Sequence, residues 1–203
     1  MVRGANPSTL SAAIPRVRVE RPVTLCTIST AAAEPTSLAV KAGRPFGSDP
    51  DILAITDEGL AFEAREATRT HRWSFDAIRF VRIPSPQRVV VETYEPIKQL
   101  RILPGLRTYA FEVVEGLVTP EFVAVLLERF PRPVLTTVMP PVCDPLWTGP
   151  AWHDRHRSGH DGVLELHRGG LMFRASTPDA NRYWRFRDLA SVLRLEANRL
   201  AIV

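Results

Sequence analysis

Lysine is almost missing from this chain. Only Lys41 and Lys98 occur, so 24 of the 26 basic residues are arginine. A GC-rich coding sequence accounts for that bias as well as a need for bidentate contacts to carboxylate or phosphate does. Acid is not scarce: 22 Asp and Glu leave a net charge of +4 and a pI near 9.6. That is a mild excess, and specific nucleic-acid binding is not expected from it. Cysteine is scarce as well. Cys26 and Cys143 are too few for a disulfide-stapled secreted scaffold, and both read as buried, reduced thiols. No apolar run approaches the ~18 residues of a membrane span; the uncharged stretches at 22–33 and 133–143 fall short. Residues 1–19 hold Arg3, Arg16 and Arg18 and no acid, without the compact apolar stretch of a secretory signal. Residues 1–20 therefore read as a disordered or loosely attached tail. No G-x-S-x-G elbow, P-loop or dinucleotide fingerprint occurs, so no catalytic residue and no cofactor is expected.

What the chain does have is enough apolar material for a packed core: 45% of 203 residues, room for one large domain or two small ones. It also carries an internal repeat, at one constant offset with no gap. Arg21-Pro22-Val23 matches Arg132-Pro133-Val134, and Arg44 matches Arg155. Leu53, Gly59, Leu60, Phe62 and Ala64 match Leu164, Gly170, Leu171, Phe173 and Ala175. Trp73, Phe75, Val81 and Arg88 match Trp184, Phe186, Val192 and Arg199. That makes 13 identities over 72 aligned positions, mostly apolar, aromatic or glycine. The repeat divides the chain into a first unit, 21–131, and a second, 132–203, in which the last 39 positions of the first have no counterpart.

Each unit reads as a run of short antiparallel strands. In 51–65, Leu53 and Ile55 alternate with Ala54 and Thr56; an Asp57-Glu58-Gly59 turn comes next, then Leu60, Phe62 and Ala64 on one face. Period-two alternation around a glycine turn is the pattern of a hairpin. Leu164, Leu166, Gly169-Gly170, Leu171 and Phe173 repeat it. Trp73 and Phe75 mark a third strand, 77–83 and 88–93 two more, and 107–114 another. Thr119-Pro120-Glu121 then starts a helix: a capping hydroxyl, proline at the first position and an acid at the positive end of the dipole. Phe122, Val125, Leu126 and Phe130 follow helical spacing, and Pro131 and Pro133 end the helix.

This order resembles a pleckstrin-homology (PH) or GRAM-type module. The features behind the resemblance are the hairpin about the glycine turn, the Trp-x-Phe strand running into Asp76-Ala77-Ile78 (Arg187-Asp188-Leu189 in the second unit), and the terminal helix. It covers about 51–130 and part of 162–203, and is similar to bacterial PH-like proteins of unknown function. The fold it implies is mainly β with some α: two tandem PH-like antiparallel sheets or partial barrels. The first is closed by a C-terminal helix, and the second lacks its last strand and helix. The resemblance implies no enzymatic activity. PH modules that bind phosphoinositides present basic residues from an open first hairpin loop, whereas the turns at 57–59 and 168–170 are tight and poor in charge.

Two clusters are candidates for chemistry. His153, Asp154, His156, His160 and Asp161 hold three imidazoles and two carboxylates within nine residues. Their spacing matches no metal motif, and Ala42, Pro45 and Asp49 stand at the equivalent histidine positions, so no metal ligand is assigned. The alternative of a metal-dependent enzyme would use this 153–161 segment, read as a mobile loop. The second cluster is the 65–88 stretch, with six arginines against Glu66 and Asp76. Arg65, Arg69 and Arg72 are the candidate binding residues, on an outward face beside an inward Trp73.

The reading is a non-catalytic binding or adaptor protein. Its partner is another protein or an anionic surface, and its location cytoplasmic, reaching a membrane only peripherally. A structural subunit of an assembly is a further alternative. The helix of the first unit covers its sheet and nothing in the second replaces it, so the second should expose an apolar face and an open edge. An oligomer formed through that face is expected, as is lower stability of the second unit. Trp73 and Trp184 are expected to be equivalent core residues.

Overall fold

The computed structural model describes residues 36–42, 50–65, 67–96, 105–155, 158–196 and 199–202. The expected N-terminal tail, the start of the first unit and Cys26 lie outside these residues. The described chain is mainly β, with one helix and open sheets that are antiparallel but for one strand.

Strands β1 (Ser37–Ala42), β2 (Asp51–Ile55) and β3 (Gly59–Glu63) lead to β4 (His71–Ser74), with a 3₁₀ turn at Ala67–Arg69 before it and another at Phe75–Ala77 after it. Then come β5 (Ile78–Ser85), β6 (Arg88–Pro96), β7 (Leu106–Glu115), helix α1 (Pro120–Arg129) and β8 (Val134–Thr136). Eight strands form one sheet in the order β4-β3-β2-β1-β7-β6-β5-β8, and β8 runs parallel to β5. The alternation read from the sequence sets the faces. Leu53, Ile55, Leu60, Phe62 and Trp73 are all buried, while Ile52 and Arg72 point out. At the β2–β3 turn, Thr56 Oγ1 accepts from the Gly59 amide at 3.0 Å and donates to the Gly59 carbonyl at 3.1 Å. Gly59 itself is demanded by close approach, because a Cβ there would lie 1.8 Å from the Trp73 carbonyl oxygen.

The helix begins where the sequence places it. Thr119 Oγ1 accepts from the Phe122 amide at 3.2 Å, and the helix ends at Phe130, whose amide donates to the Leu126 carbonyl. Phe122, Val125, Leu126 and Phe130 join the core that holds Leu53, Phe62 and Trp73. Val123 and Leu127 are buried too, beyond the single stripe expected, and both belong to the same core.

A second series comes after it: β9 (Trp147–Arg155), β10 (Ser158–Leu166), β11 (Gly170–Ala175), a 3₁₀ turn at Pro178–Ala180, β12 (Arg182–Arg185), a 3₁₀ turn at Phe186–Asp188, β13 (Val192–Glu196) and β14 (Arg199–Ile202). Four of these strands form a sheet ordered β12-β11-β10-β9, and among the described residues β13 pairs with β14 alone. Gly170 meets the Trp184 carbonyl as Gly59 meets that of Trp73, with a built Cβ at 2.2 Å.

Four expectations change in detail. The described part of the 153–161 segment does not read as a mobile loop: 153–155 lie on β9 and 158–161 on β10, paired with each other. Phe75 belongs to a 3₁₀ turn rather than to the Trp73 strand, yet its ring still reaches Phe130, with centroids 5.9 Å apart. Cys143 is exposed, not buried. It lies in a segment without strand structure, in which Pro140, Pro141 and Pro145 lack the amide a sheet pairs through. Trp184 is only half-buried, whereas Trp73 is 3% exposed. Phe111 and Tyr109 of β7 lie against Trp73, and no strand of the second series occupies the place of β7 among the described residues.

Candidate functional site

Arg65, Arg69 and Arg72 gather around the β3–β4 connection. Arg72 lies on β4, opposite Ala61, at the end of the sheet order. Its guanidinium stands 3.7 Å from Glu63, with both side chains more than half exposed. Most of the Arg72 side chain therefore faces water. The Arg65 amide donates to Asp51 Oδ1 at 3.3 Å, and Arg69 Nη2 reaches the Ala42 carbonyl at 3.5 Å. The other arginines of the stretch, Arg79, Arg82 and Arg88, fall on β5 and β6, toward the opposite end of the order. Arg79 is held by Glu92 at 2.5 Å and Arg88 by Glu112 at 3.3 Å. The six are thus two groups, and among the described residues only the β4 group lies on an end strand of the sheet.

The histidine cluster does not converge. His153 and His160 face each other across β9–β10, while the register pairs Asp154 with Gly159 and Asp161 with Trp152, on the opposite face. His156 lies outside the described residues. Among the described residues, no three His, Cys, Asp or Glu side chains gather to hold a metal ion. The His153 ring instead packs on Phe173 and Trp184, with centroids 5.3 and 6.0 Å away.

The most heavily bonded residues were missed by sequence reasoning. Arg185 is buried and binds Asp188 through two contacts, Nε to Oδ2 at 2.5 Å and Nη2 to Oδ1 at 2.8 Å. The same guanidinium donates to the carbonyls of Leu127, Phe130 (3.0 Å) and Arg132 (2.6 Å). Arg187 Nη2 adds bonds to Leu127 at 2.7 Å and Phe130 at 3.2 Å. Two cations therefore satisfy the last carbonyls of α1, where the helix dipole is negative. The signal was present as a departure from the repeat, since Ser74, Asp76 and Ala77 stand where the second unit has Arg185, Arg187 and Asp188. Next to this clamp is a pocket of about 390 Å³, bordered by Leu127, Glu128, Pro141, Tyr183 and Arg187. Burial pushes the Tyr183 phenol above its ordinary range; Asp188 adds to that and Arg185 opposes it.

A second polar link holds the proline-rich segment. His167 is buried, its Nδ1 donates to the Cys143 carbonyl at 2.9 Å, and its Nε2 lies 3.0 Å from Glu165 Oε2. Arg174 Nε donates to the other oxygen of Glu165 at 2.8 Å. Both the clamp and this link fasten distant segments of the chain to one another; Arg72, on its exposed strand, does not. Among the described residues, no helix is long and apolar enough to cross a membrane. No protein-family model and no curated protein matches the chain.

Proposed function

We propose that the chain is a tandem of two PH-like units and acts as an adaptor, binding a protein partner without catalysing a reaction. Support for the tandem comes from matching register. Gly59 pairs with Ser74 and Leu60 with Trp73; at the aligned positions Gly170 pairs with Arg185 and Leu171 with Trp184. The 3₁₀ turns at Ala67–Arg69 and Phe75–Ala77 align in the same way with those at Pro178–Ala180 and Phe186–Asp188. An experimentally determined structure is expected to overlay β2–β5 on β10–β13, strand for strand. A second unit with another strand order would refute the tandem.

The observation that carries the binding function is the position of Arg72 on β4, the end strand, with Arg65 and Arg69 just before it. An end strand offers unpaired backbone groups to an extended segment, and the arginines favour an acidic one. The proposed ligand is therefore an acidic, extended stretch of a partner protein. A fluorescent acidic peptide and phosphatidylserine vesicles, each titrated at low and physiological salt, test this. Peptide binding is expected to weaken with salt, because exposed charges are screened over ~8 Å at physiological ionic strength. Replacing Arg65, Arg69 and Arg72 together by Ser should abolish it and leave the fold intact. Vesicle binding without peptide binding would replace the protein partner with an anionic surface, and no binding to either at low salt would end the reading.

A further inference from the structure

One face of the β9–β10 hairpin carries an exposed indole between two carboxylates. Alternation puts Pro150, Trp152 and Asp154 of β9 on the same side, and the register sets Val163 opposite Pro150 and Asp161 opposite Trp152. All five side chains are exposed, Trp152 by 60%. The Trp152 ring is nevertheless seated. Gly159 stands opposite Asp154, and a Cβ built at Gly159 would collide with Cζ2, Cε2 and Nε1 of the indole. A glycine within a strand marks a close approach of this kind. The indole therefore rests one side on the backbone and turns the other to water.

Both carboxylates border that ring. Asp161 is directly across from Trp152, and such pairs have Cβ atoms ~4.5–5.5 Å apart. Because the ring reaches over Gly159, its outer end comes beside Asp154, the partner of that glycine. Among the described residues neither carboxylate has a hydrogen bond or an ion pair. Arg174, opposite Val163 on this face, is held instead by Glu165 at 2.8 Å. Packing does not demand the arrangement. Lys41, Gly43 and Pro50 stand at the aligned positions of Trp152, Asp154 and Asp161, and β1 and β2 pair without them.

We propose that this ledge binds an arginine side chain of a partner protein, stacked on the outward face of the Trp152 indole with its N–H groups donating to Asp154 and Asp161. The two unpaired carboxylates select a cation. The single flat ring selects a guanidinium. A planar cation covers an indole face and still directs N–H groups from its edge to both sides, whereas an ammonium is compact and more strongly hydrated. Pro150 and Val163 offer apolar surface to the arginine stem. The ledge lies on the other sheet from Arg65, Arg69 and Arg72 and has the opposite charge preference, so it is a second surface and goes beyond the reading above.

The test follows the indole N–H signals of the full chain by NMR at low salt, with Trp152 assigned from Trp152→Phe. The probes are a capped Gly-Arg-Gly-Arg-Gly peptide, the same peptide with lysine or with neutral citrulline in place of arginine, and maltotriose. The arginine peptide is expected to move the Trp152 signal and leave that of Trp73 in place. The lysine peptide should bind at least threefold more weakly and the citrulline peptide not at all. Gly159→Ala keeps the indole and both carboxylates but displaces the ring; it should weaken the arginine peptide about tenfold or more, as should Trp152→Ala and the pair Asp154→Asn with Asp161→Asn. An unchanged Trp73 signal reports an intact fold in each variant, and the comparison of peptides needs no variant. Equal affinity for the arginine and lysine peptides, or full affinity in Gly159→Ala, would reduce the site to diffuse charge attraction and overturn the proposal. A Trp152 signal that no arginine peptide moves would overturn it too, and a shift by maltotriose alone would reassign the platform to a sugar. Replacing Arg65, Arg69 and Arg72 by Ser should leave this binding unchanged, so failure of one surface is distinguishable from failure of the other.

Discussion

Tyr183 and Arg185 sit close together on β12, and each makes a prediction. The phenol of Tyr183 titrates above the usual ~10 because burial disfavours its anion. In the unfolded chain it ionises first. At pH above ~10 the folded state then holds more protons than the unfolded one, so stability falls as pH rises toward the folded value. Tyr183→Phe should flatten the loss of stability above pH 10, read as midpoints of urea unfolding across pH 9 to 11. An unchanged pH profile would contradict this. For Arg185 the issue is pairing. Arg185→Met leaves Asp188 and the Arg132 carbonyl without their donor in a buried site, and leaves the Leu127 and Phe130 carbonyls to Arg187 alone. Breaking a buried pair in this way costs ~3–5 kcal/mol. Arg72→Ser, at an exposed pair, should change stability by well under about 1 kcal/mol in the same unfolding measurement.

Elements carry their own tests. The β2–β3 and β10–β11 hairpins both close on a glycine that has no room for a side chain. Gly59→Ala drives a methyl into the Trp73 carbonyl and should destabilise the protein by ~1–3 kcal/mol, as overpacking does. Gly170→Ala should do the same at Trp184. A neutral effect at either site would mean that the hairpin there is more open than described. Thr119→Ala removes the hydroxyl that accepts from Phe122 and should cost about 1 kcal/mol. Thermal unfolding of the three variants checks all of these.

At the level of the whole molecule, the two series differ in how well they are covered. Leu53, Ile55, Leu60 and Trp73 are buried, whereas Leu164, Leu166, Leu171 and Trp184 at the matching positions are only partly so. Trp147, Trp152, Phe186 and Val192 add exposed apolar surface to the later half. Amides of 164–175 are therefore expected to exchange faster than those of 53–64 in native-state hydrogen exchange. Equal protection would show that the second sheet is covered in solution.

Hairpins, faces and the helix were legible from the order of residues. Leu53, Ile55, Leu60 and Phe62 alternate about a glycine, and Thr119-Pro120-Glu121 caps the helix; local geometry and period-two burial need no distant partner to be read. The candidate arginines were legible as residues but not as a group, because strand order alone puts Arg72 on the end strand of the described sheet and pairs Arg79 with Glu92. Trp184 matches Trp73 in sequence, yet its burial depends on whether a strand like β7 lies against it. The Arg185 clamp was beyond reach, since its acceptors are backbone carbonyls far away along the chain, and every residue carries a carbonyl. Sequence sets which side of a strand faces inward. Only the tertiary structure decides what, if anything, lies on that side, because coverage and buried hydrogen bonding come from segments that meet after the local elements have formed.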